Sequence, residues 1–133
     1  MNLFVDTSVW SLAWRRDAPA DSPCLRLLDE ALTADVLVTS TGIVLQELLQ
    51  GFRGPRAKNR IIEAFGALPL IIPDREDHIE AAGLRNTCRR RGVQVGTVDA
   101  LLAQLCIRHD LRMLTANKDF QRIARHSSLR LAI

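Results

Sequence analysis

The chain has 133 residues, a length typical of one compact domain, and we predict a single domain over residues 1–133. Hydrophobic residues make up 47% of the sequence and charged residues 25%, a balance that excludes an intrinsically disordered chain. The net charge is +3, and all but Lys58 and Lys118 of the 18 basic residues are arginine, which suits phosphate contact but also fits the codon usage of a GC-rich genome.

Membrane and secretory proteins are also disfavoured. The longest apolar stretches, residues 67–72 and 100–103, are far shorter than the roughly 20 residues that span a bilayer. The first residues carry neither a basic region nor a cleavage site, so we expect a cytoplasmic protein without a membrane partner. Cys24, Cys88 and Cys106 are widely spaced among apolar residues, which indicates free thiols and neither a disulfide nor a zinc site.

Short apolar runs alternate with helical patterns along the chain. We predict strands over residues 3–5, 36–39, 112–115 and 129–131. Between them, helices are predicted over residues 7–14, from the cap Ser22 onward, over 43–52, from Asp74 to Gly92, over 98–109 behind a Thr97 cap, and from Asp119. Residues 51–58 read as a turn between helices. This alternation is typical of an α/β fold with a mainly parallel sheet, whose ligands bind at the carboxyl ends of the strands.

Four acidic residues occupy positions of interest. Asp6 and Asp119 each follow a predicted strand, where a helix N-cap would explain either one alone. Glu47 falls inside the apolar arc of its helix, and Asp99 shares a helix face with Leu102, Ala103 and Cys106. A first-turn acid stabilised by the helix dipole is the plain alternative for Asp99. A carboxylate on a buried face needs a partner, and no basic residue stands at helical spacing beside Glu47 or Asp99.

Convergence of these acids in one cleft would require a counter-charge. Two like charges about 4 Å apart repel by about 4 kcal/mol at an effective dielectric constant of about 20. A multivalent cation would offset that repulsion, and oxygen-only ligands favour magnesium or manganese over zinc. We therefore expect Mg²⁺, or Mn²⁺, as the cofactor.

Four segments together resemble the PIN-domain proteins, and among them the VapC toxins of bacterial toxin–antitoxin pairs. They are residues 4–10 (FVDTSVW), the helix that carries Glu47 and ends at Gly51 and Phe52, residues 97–103 (TVDALLA), and residues 114–120 (LTANKDF). Their order and spacing match the family over essentially the whole chain.

The resemblance implies a PIN-like three-layer sandwich, with a central mainly parallel sheet flanked by helices. It places Asp6, Glu47, Asp99 and Asp119 at the metal-binding and catalytic positions, with Thr7, Ser8 and Thr115 as supporting polar residues. Many relatives carry an acid where this sequence has Asn117, so either Asn117 or Asp119 fills the fourth position. The implied activity is a magnesium-dependent endoribonuclease that uses metal-activated water and leaves a 5′-phosphate and a 3′-hydroxyl. The implied partners are an RNA substrate, a cognate antitoxin and a second copy of the chain.

The residues that contact RNA are not identified by the sequence. The candidate arginines outside the acidic positions are Arg15, Arg16, Arg53, Arg56, Arg89, Arg90 and Arg91. Trp10 and Trp14 lie one helical turn apart, which favours a place in the core over stacking on bases.

Three other functions were compared with this hypothesis. A response-regulator receiver would carry paired acids after the first strand, whereas Asp6 is followed by Thr7 and Ser8. A catalytically inactive PIN-like module that binds RNA or protein is disfavoured by the presence of all four acids. A DNA-cutting nuclease is equally compatible with this sequence.

Overall fold

The computed structural model describes residues 1–15, 17–19 and 21–133. Within these ranges the strands are β1 (Leu3–Val5), β2 (Val38–Thr41), β3 (Leu70–Ile71), β4 (Arg112–Leu114) and β5 (Arg130–Leu131). The helices are α1 (Thr7–Trp14), α2 (Pro23–Thr33), α3 (Gly42–Gly51), α4 (Pro55–Gly66), α5 (Arg75–Arg90), α6 (Thr97–Arg108) and α7 (Asp119–Arg125).

The strands form one parallel sheet in the order β3-β2-β1-β4-β5. All three residues of β1, at the centre, are fully buried, as is typical of a strand covered on both faces. Helices flank the sheet, with α1 to α4 packed against one another in one group and α5 to α7 in another. This arrangement confirms the predicted α/β sandwich with a parallel sheet. Because all strands are parallel, the segments after β1 and β4 emerge at the same edge.

Local sequence signals account for several helix ends. Ser22 accepts a hydrogen bond from the Leu25 amide and precedes Pro23 at the first helical position of α2, as predicted. Asp74 and Asp77 form a reciprocal capping box at the start of α5, and Gly92, with φ of +80°, follows its end. Trp10 is buried, stacks on Trp14 and packs at a tilted angle against Phe65, so the tryptophan pair belongs to the core.

Some predicted boundaries were wrong. Strand β2 spans Val38–Thr41 instead of residues 36–39, and the turn predicted over 51–58 is confined to residues 52–54. Helix α6 has Gly96 as its N-cap, without a side-chain bond, where we had predicted a Thr97 cap. Strand β3 was not predicted at all, because two residues after Pro69 carry no periodic pattern. It forms only by pairing with Ser40 and Thr41 at the sheet edge, where proline is tolerated.

Each helix in the described part of the chain is too short or too polar to cross a lipid bilayer.

Candidate active site

Asp6 is held at the carboxyl end of the central strand. Its amide donates to the carbonyl of Leu114 over 3.0 Å, which continues the pairing of β1 with β4 for one residue. Its side chain caps α1, as predicted, and is only 6% exposed. The carboxylate oxygen Oδ2 accepts hydrogen bonds from the hydroxyls of Ser8 at 2.8 Å and Thr115 at 2.9 Å, and from the Ser8 amide at 3.4 Å. Among the described residues none donates to Oδ1, so this carboxylate is fixed through one oxygen and open through the other.

The two hydroxyl groups connect the segments after β1 and β4. The Ser8 hydroxyl accepts from the Ala116 amide at 2.9 Å, and the Thr115 hydroxyl accepts from the Asn117 amide at 3.0 Å. Each hydroxyl has one proton, which it donates to Asp6. The oxygens of Ser8 and Thr115 lie 3.3 Å apart and are therefore in contact but not hydrogen-bonded to each other. This network fixes Asp6 relative to the loop that leads to Asp119.

Asn117 and Asp119 differ in their roles. The side-chain oxygen of Asn117 accepts from the Asp119 amide at 3.0 Å, so it helps to start α7. Asp119 is the first residue of α7, behind the N-cap Lys118, and its carboxylate accepts from Arg122 at 3.2 Å. Sequence reasoning missed Arg122, although its position three residues after Asp119 on a helix was a readable signal.

Glu47 does not lie where its helical pattern indicated. It was expected in the apolar arc of its helix, but its side chain is exposed. Its Oε1 accepts from the hydroxyl of Thr7, the first residue of α1, at 2.8 Å. Thr7 therefore supports Glu47 and joins α1 to α3, whereas Ser8 and Thr115 support Asp6. The wheel prediction was wrong, since the contact that α1 makes with Glu47 is the polar side chain of Thr7 and Glu47 stays exposed.

Asp99 is half-buried in the first turn of α6 and has no hydrogen-bond partner among the described residues. Burial is the main cause that raises the pKa of Asp99 from 3.8 to about 6, followed by the negative charges of Asp6, Asp119 and Glu47. The charge of Asp6 also adds to the effect of burial in raising the pKa of the Cys106 thiol, two turns further along α6. The charges of the other three predicted acids thus act together on Asp99.

The acids do not form a closed cage. In residues 1–15, 17–19 and 21–133, no three His, Cys, Asp or Glu side chains lie close enough to hold one ion between them. The expected four-carboxylate cluster is therefore not closed around one position, and the four acids are related through the charges that act on Asp99. Glu47 is bonded to Thr7 and Asp119 to Arg122, each through one oxygen. Among the described residues, Asp6 accepts no hydrogen bond at Oδ1 and Asp99 accepts none at either oxygen.

These two carboxylates suit magnesium in particular. Mg²⁺ keeps several of its waters and binds proteins through one or two carboxylates together with substrate phosphates, so it does not require a complete protein cage. The donors are oxygen only, and none of the three histidines is among them. The chemistry of the donor set therefore fits this ion.

The PIN domain family profile matches residues 3–126. The chain belongs to the PIN domain family. The acids Asp6, Glu47, Asp99 and Asp119 all lie inside the matched range.

Named relatives of this PIN domain are similar over their full length. It is 29% identical over 132 residues to the protein named VapC ribonuclease Mb1587 of Mycobacterium bovis. The aligned region covers 98% of this chain and 97% of the relative. The same identity and coverage hold for the ribonuclease VapC11 of Mycobacterium tuberculosis.

Solved structures show the same fold. The crystal structure of VapBC2 from Rickettsia felis bound to a promoter DNA fragment aligns with a TM-score of 0.76 at 23% identity, covering 98% of this chain and 97% of that one. VapC20 of Mycobacterium tuberculosis, described as a sarcin-ricin loop cleaving toxin, aligns with a TM-score of 0.69 at 19% identity. The alignment covers 97% of this chain and 99% of VapC20. At these identities the likeness establishes the fold of this PIN domain.

The arginines singled out in the sequence are spread over the surface of the domain. Arg15 pairs with Asp17 at 3.6 Å, while Arg53 and Arg56 are exposed around the start of α4. Arg16 lies outside the described residues. Arg89, Arg90 and Arg91 are exposed where α5 ends, and Arg89 lines a cavity beside the loop that precedes α6.

Replacing Asp99 by asparagine is expected to stabilise the metal-free PIN domain at high pH. The folded-state pKa of about 6 exceeds the unfolded value near 3.8, so protonation of Asp99 favours the folded state. That contribution is complete below pH 3.8 and is lost as the pH rises through 6. After a discount for the half-exposed side chain, the variant should be more stable by about 1 kcal/mol at pH 8, which raises Tm by about 3–5 °C. At pH 5 the difference in the free energy of unfolding between the variant and the parent should be about half as large as at pH 8.

Thermal unfolding with a chelator, from pH 4 to pH 8, measures this effect. The matched control is Glu63→Gln, which removes an exposed charge on α4 and should leave the pH dependence of the parent unchanged. Added magnesium should raise Tm of the parent more than that of the Asp99 variant. A constant difference between the variant and the parent at every pH would contradict the assignment of the raised pKa to Asp99.

Proposed function

We propose that this PIN domain is a magnesium-dependent endoribonuclease that acts as the toxin of a toxin–antitoxin pair. The observation that carries the proposal is Asp6, whose carboxylate is fixed through Oδ2 and open through Oδ1 in a field shared with three other acids. The ribonuclease names of full-length relatives support the choice of RNA as substrate.

Asp6 and Asp99 are the residues that would hold the metal directly. Glu47 and Asp119 would complete the site through water or through a second ion. When bound, magnesium polarises the phosphate and lowers the pKa of an attacking water. The oxygen-only donors and the unpaired charge of Asp99 support this assignment over zinc.

The protein's own contribution is orientation. Ser8 and Thr115 fix the plane of the Asp6 carboxylate. Because the side chain is already ordered, binding a ligand at Oδ1 costs little further conformational entropy. Thr7 holds Glu47 in the same way on the side of α3. Arg122 supplies a positive charge beside Asp119, which reduces repulsion among the acids while the site is without metal.

The proposed partners follow from the same site. Structures of similar fold include toxin–antitoxin complexes, such as VapBC-1 from nontypeable Haemophilus influenzae. We propose that an antitoxin places an arginine or lysine against the carboxylates of Asp6 and Asp99, in the position of the metal. A homodimer stays a prediction, and exposed apolar side chains at Ile72, Ile79 and Val98 are available for it.

The direct test is cleavage of a labelled structured RNA by the purified protein. We expect cleavage with magnesium or manganese, none in excess chelator, and recovery when magnesium is restored, because the acids alone supply neither a Lewis acid nor an activated water. Full activity in chelator would refute the metal mechanism. Binding of RNA without cleavage under every metal condition would instead identify an inactive binding module. A single-stranded DNA of the same sequence tests whether the substrate is RNA or DNA. Preferential cleavage of the DNA would refute the ribonuclease assignment.

A further inference from the structure

A cavity of about 580 Å³ opens between the second half of α5 and the loop that leads to α6. It is lined by Arg85, Arg89, Gln94, Val95 and Gly96. None of these residues is one of the four predicted acids, and two of them carry a positive charge.

The two arginines are presented differently to this cavity. Arg85 is half-buried, and its Nε donates to the Val95 carbonyl over 2.8 Å, which ties α5 to the loop and fixes the guanidinium at the cavity wall. Arg89 is one turn further along the same helix, exposed, and donates to the side-chain oxygen of Asn86. Within the described residues, neither arginine makes a salt bridge. Two guanidinium groups that line one cavity without an acidic partner among the described residues suit an anion of phosphate geometry.

The cavity adjoins the reaction site through Gly96. This residue lines the cavity, and the position that a Cβ atom on it would take is 3.9 Å from Oδ2 of Asp99. A polynucleotide strand whose reacting phosphate lies at Asp6 and Asp99 can therefore continue past Gly96 and place a neighbouring phosphate between Arg85 and Arg89.

We propose that this cavity is a subsite for a backbone phosphate of the RNA substrate, adjacent to the phosphate that is cleaved. The inference rests on the proposed function, because it takes the substrate to be RNA. Arg89 contacts the phosphate, and Arg85 both contacts it and holds the loop that carries Gly96. Contacts of this kind position the strand and carry no base specificity.

The test compares two neighbouring arginines of α5. Arg89 and Arg90 are both exposed and each bonds a polar side chain three residues earlier, but only Arg89 lines the cavity. We would measure binding of a fluorescein-labelled single-stranded RNA of about 12 nucleotides by anisotropy, in chelator so that nothing is cleaved. Arg89→Gln should weaken binding about tenfold and lower the slope of log K against log salt by about 0.7, while Arg90→Gln should change neither strongly. Arg89→Lys should recover part of the affinity.

The outcomes separate this subsite from the nuclease itself. Equal losses for the two glutamine variants would mean that only net charge matters, and no loss for Arg89→Gln would mean that the cavity is not used. Either result overturns the subsite, as does absence of measurable RNA binding by the parent. If Arg89→Gln alone weakens binding but the parent never cleaves RNA with magnesium, the subsite stands and the nuclease proposal fails.

Discussion

Replacing Asp6 by asparagine is expected to lower the rate of magnesium-dependent RNA cleavage by about a thousandfold, because metal stabilisation worth several kcal/mol is lost. The fold should persist. Asparagine is as good an N-cap as aspartate, and its side-chain oxygen can accept the bonds from Ser8 and Thr115 that Oδ2 accepts now. The amide nitrogen then replaces Oδ1 and turns a donor group toward the position of the metal.

Initial rates with saturating magnesium measure this effect, and thermal unfolding in chelator verifies that the variant folds. Glu63→Gln on the solvent face of α4 is the matched control and should cleave at the parent rate. A folded Asp6 variant with a rate within about tenfold of the parent would show that Asp6 is not a direct ligand.

Induction of the parent chain alone in a bacterial host is expected to arrest growth, whereas the Asp6→Asn variant should permit growth at the same expression level. A nuclease that cuts cellular RNA without a bound inhibitor removes the templates and machinery of protein synthesis. Because the variant is expected to retain the fold and the positive surface but to lose the carboxylate that we propose holds the metal, the comparison isolates catalysis from nonspecific RNA binding.

The antitoxin part of the proposal requires a third strain that also expresses the gene next to the toxin gene. Growth should be restored there, and inhibition of the purified enzyme by that partner should weaken as magnesium is raised, since both compete for Asp6 and Asp99. Growth curves with immunoblots for expression measure these effects. Equal growth of the parent and Asp6→Asn strains would refute the toxin role while leaving a metal nuclease possible.

The α/β class, the position of Asp6 after the central strand and the place of Asp99 on α6 could all be predicted from the sequence. The reason is that these features rest on local signals. A buried apolar run such as Leu3–Val5 specifies a central strand, an aspartate directly after it caps the next helix, and helical spacing puts Asp99 on the face of Cys106. The resemblance to PIN-domain proteins rested on the same segments, and the family match over residues 3–126 confirms it.

The remaining features could not be predicted, because they depend on neighbours that are distant in the sequence and meet only in the folded chain. Glu47 is exposed and bonded to Thr7 because α1 meets α3 there, and β3 exists because Ser40 and Thr41 offer it a pairing edge. The raised pKa of Asp99 comes first from its burial and then from the charges of Asp6, Asp119 and Glu47, which no helical wheel contains. The arginine cavity likewise needs α5 folded back against the loop before α6, so its place beside Asp99 is a property of the packing.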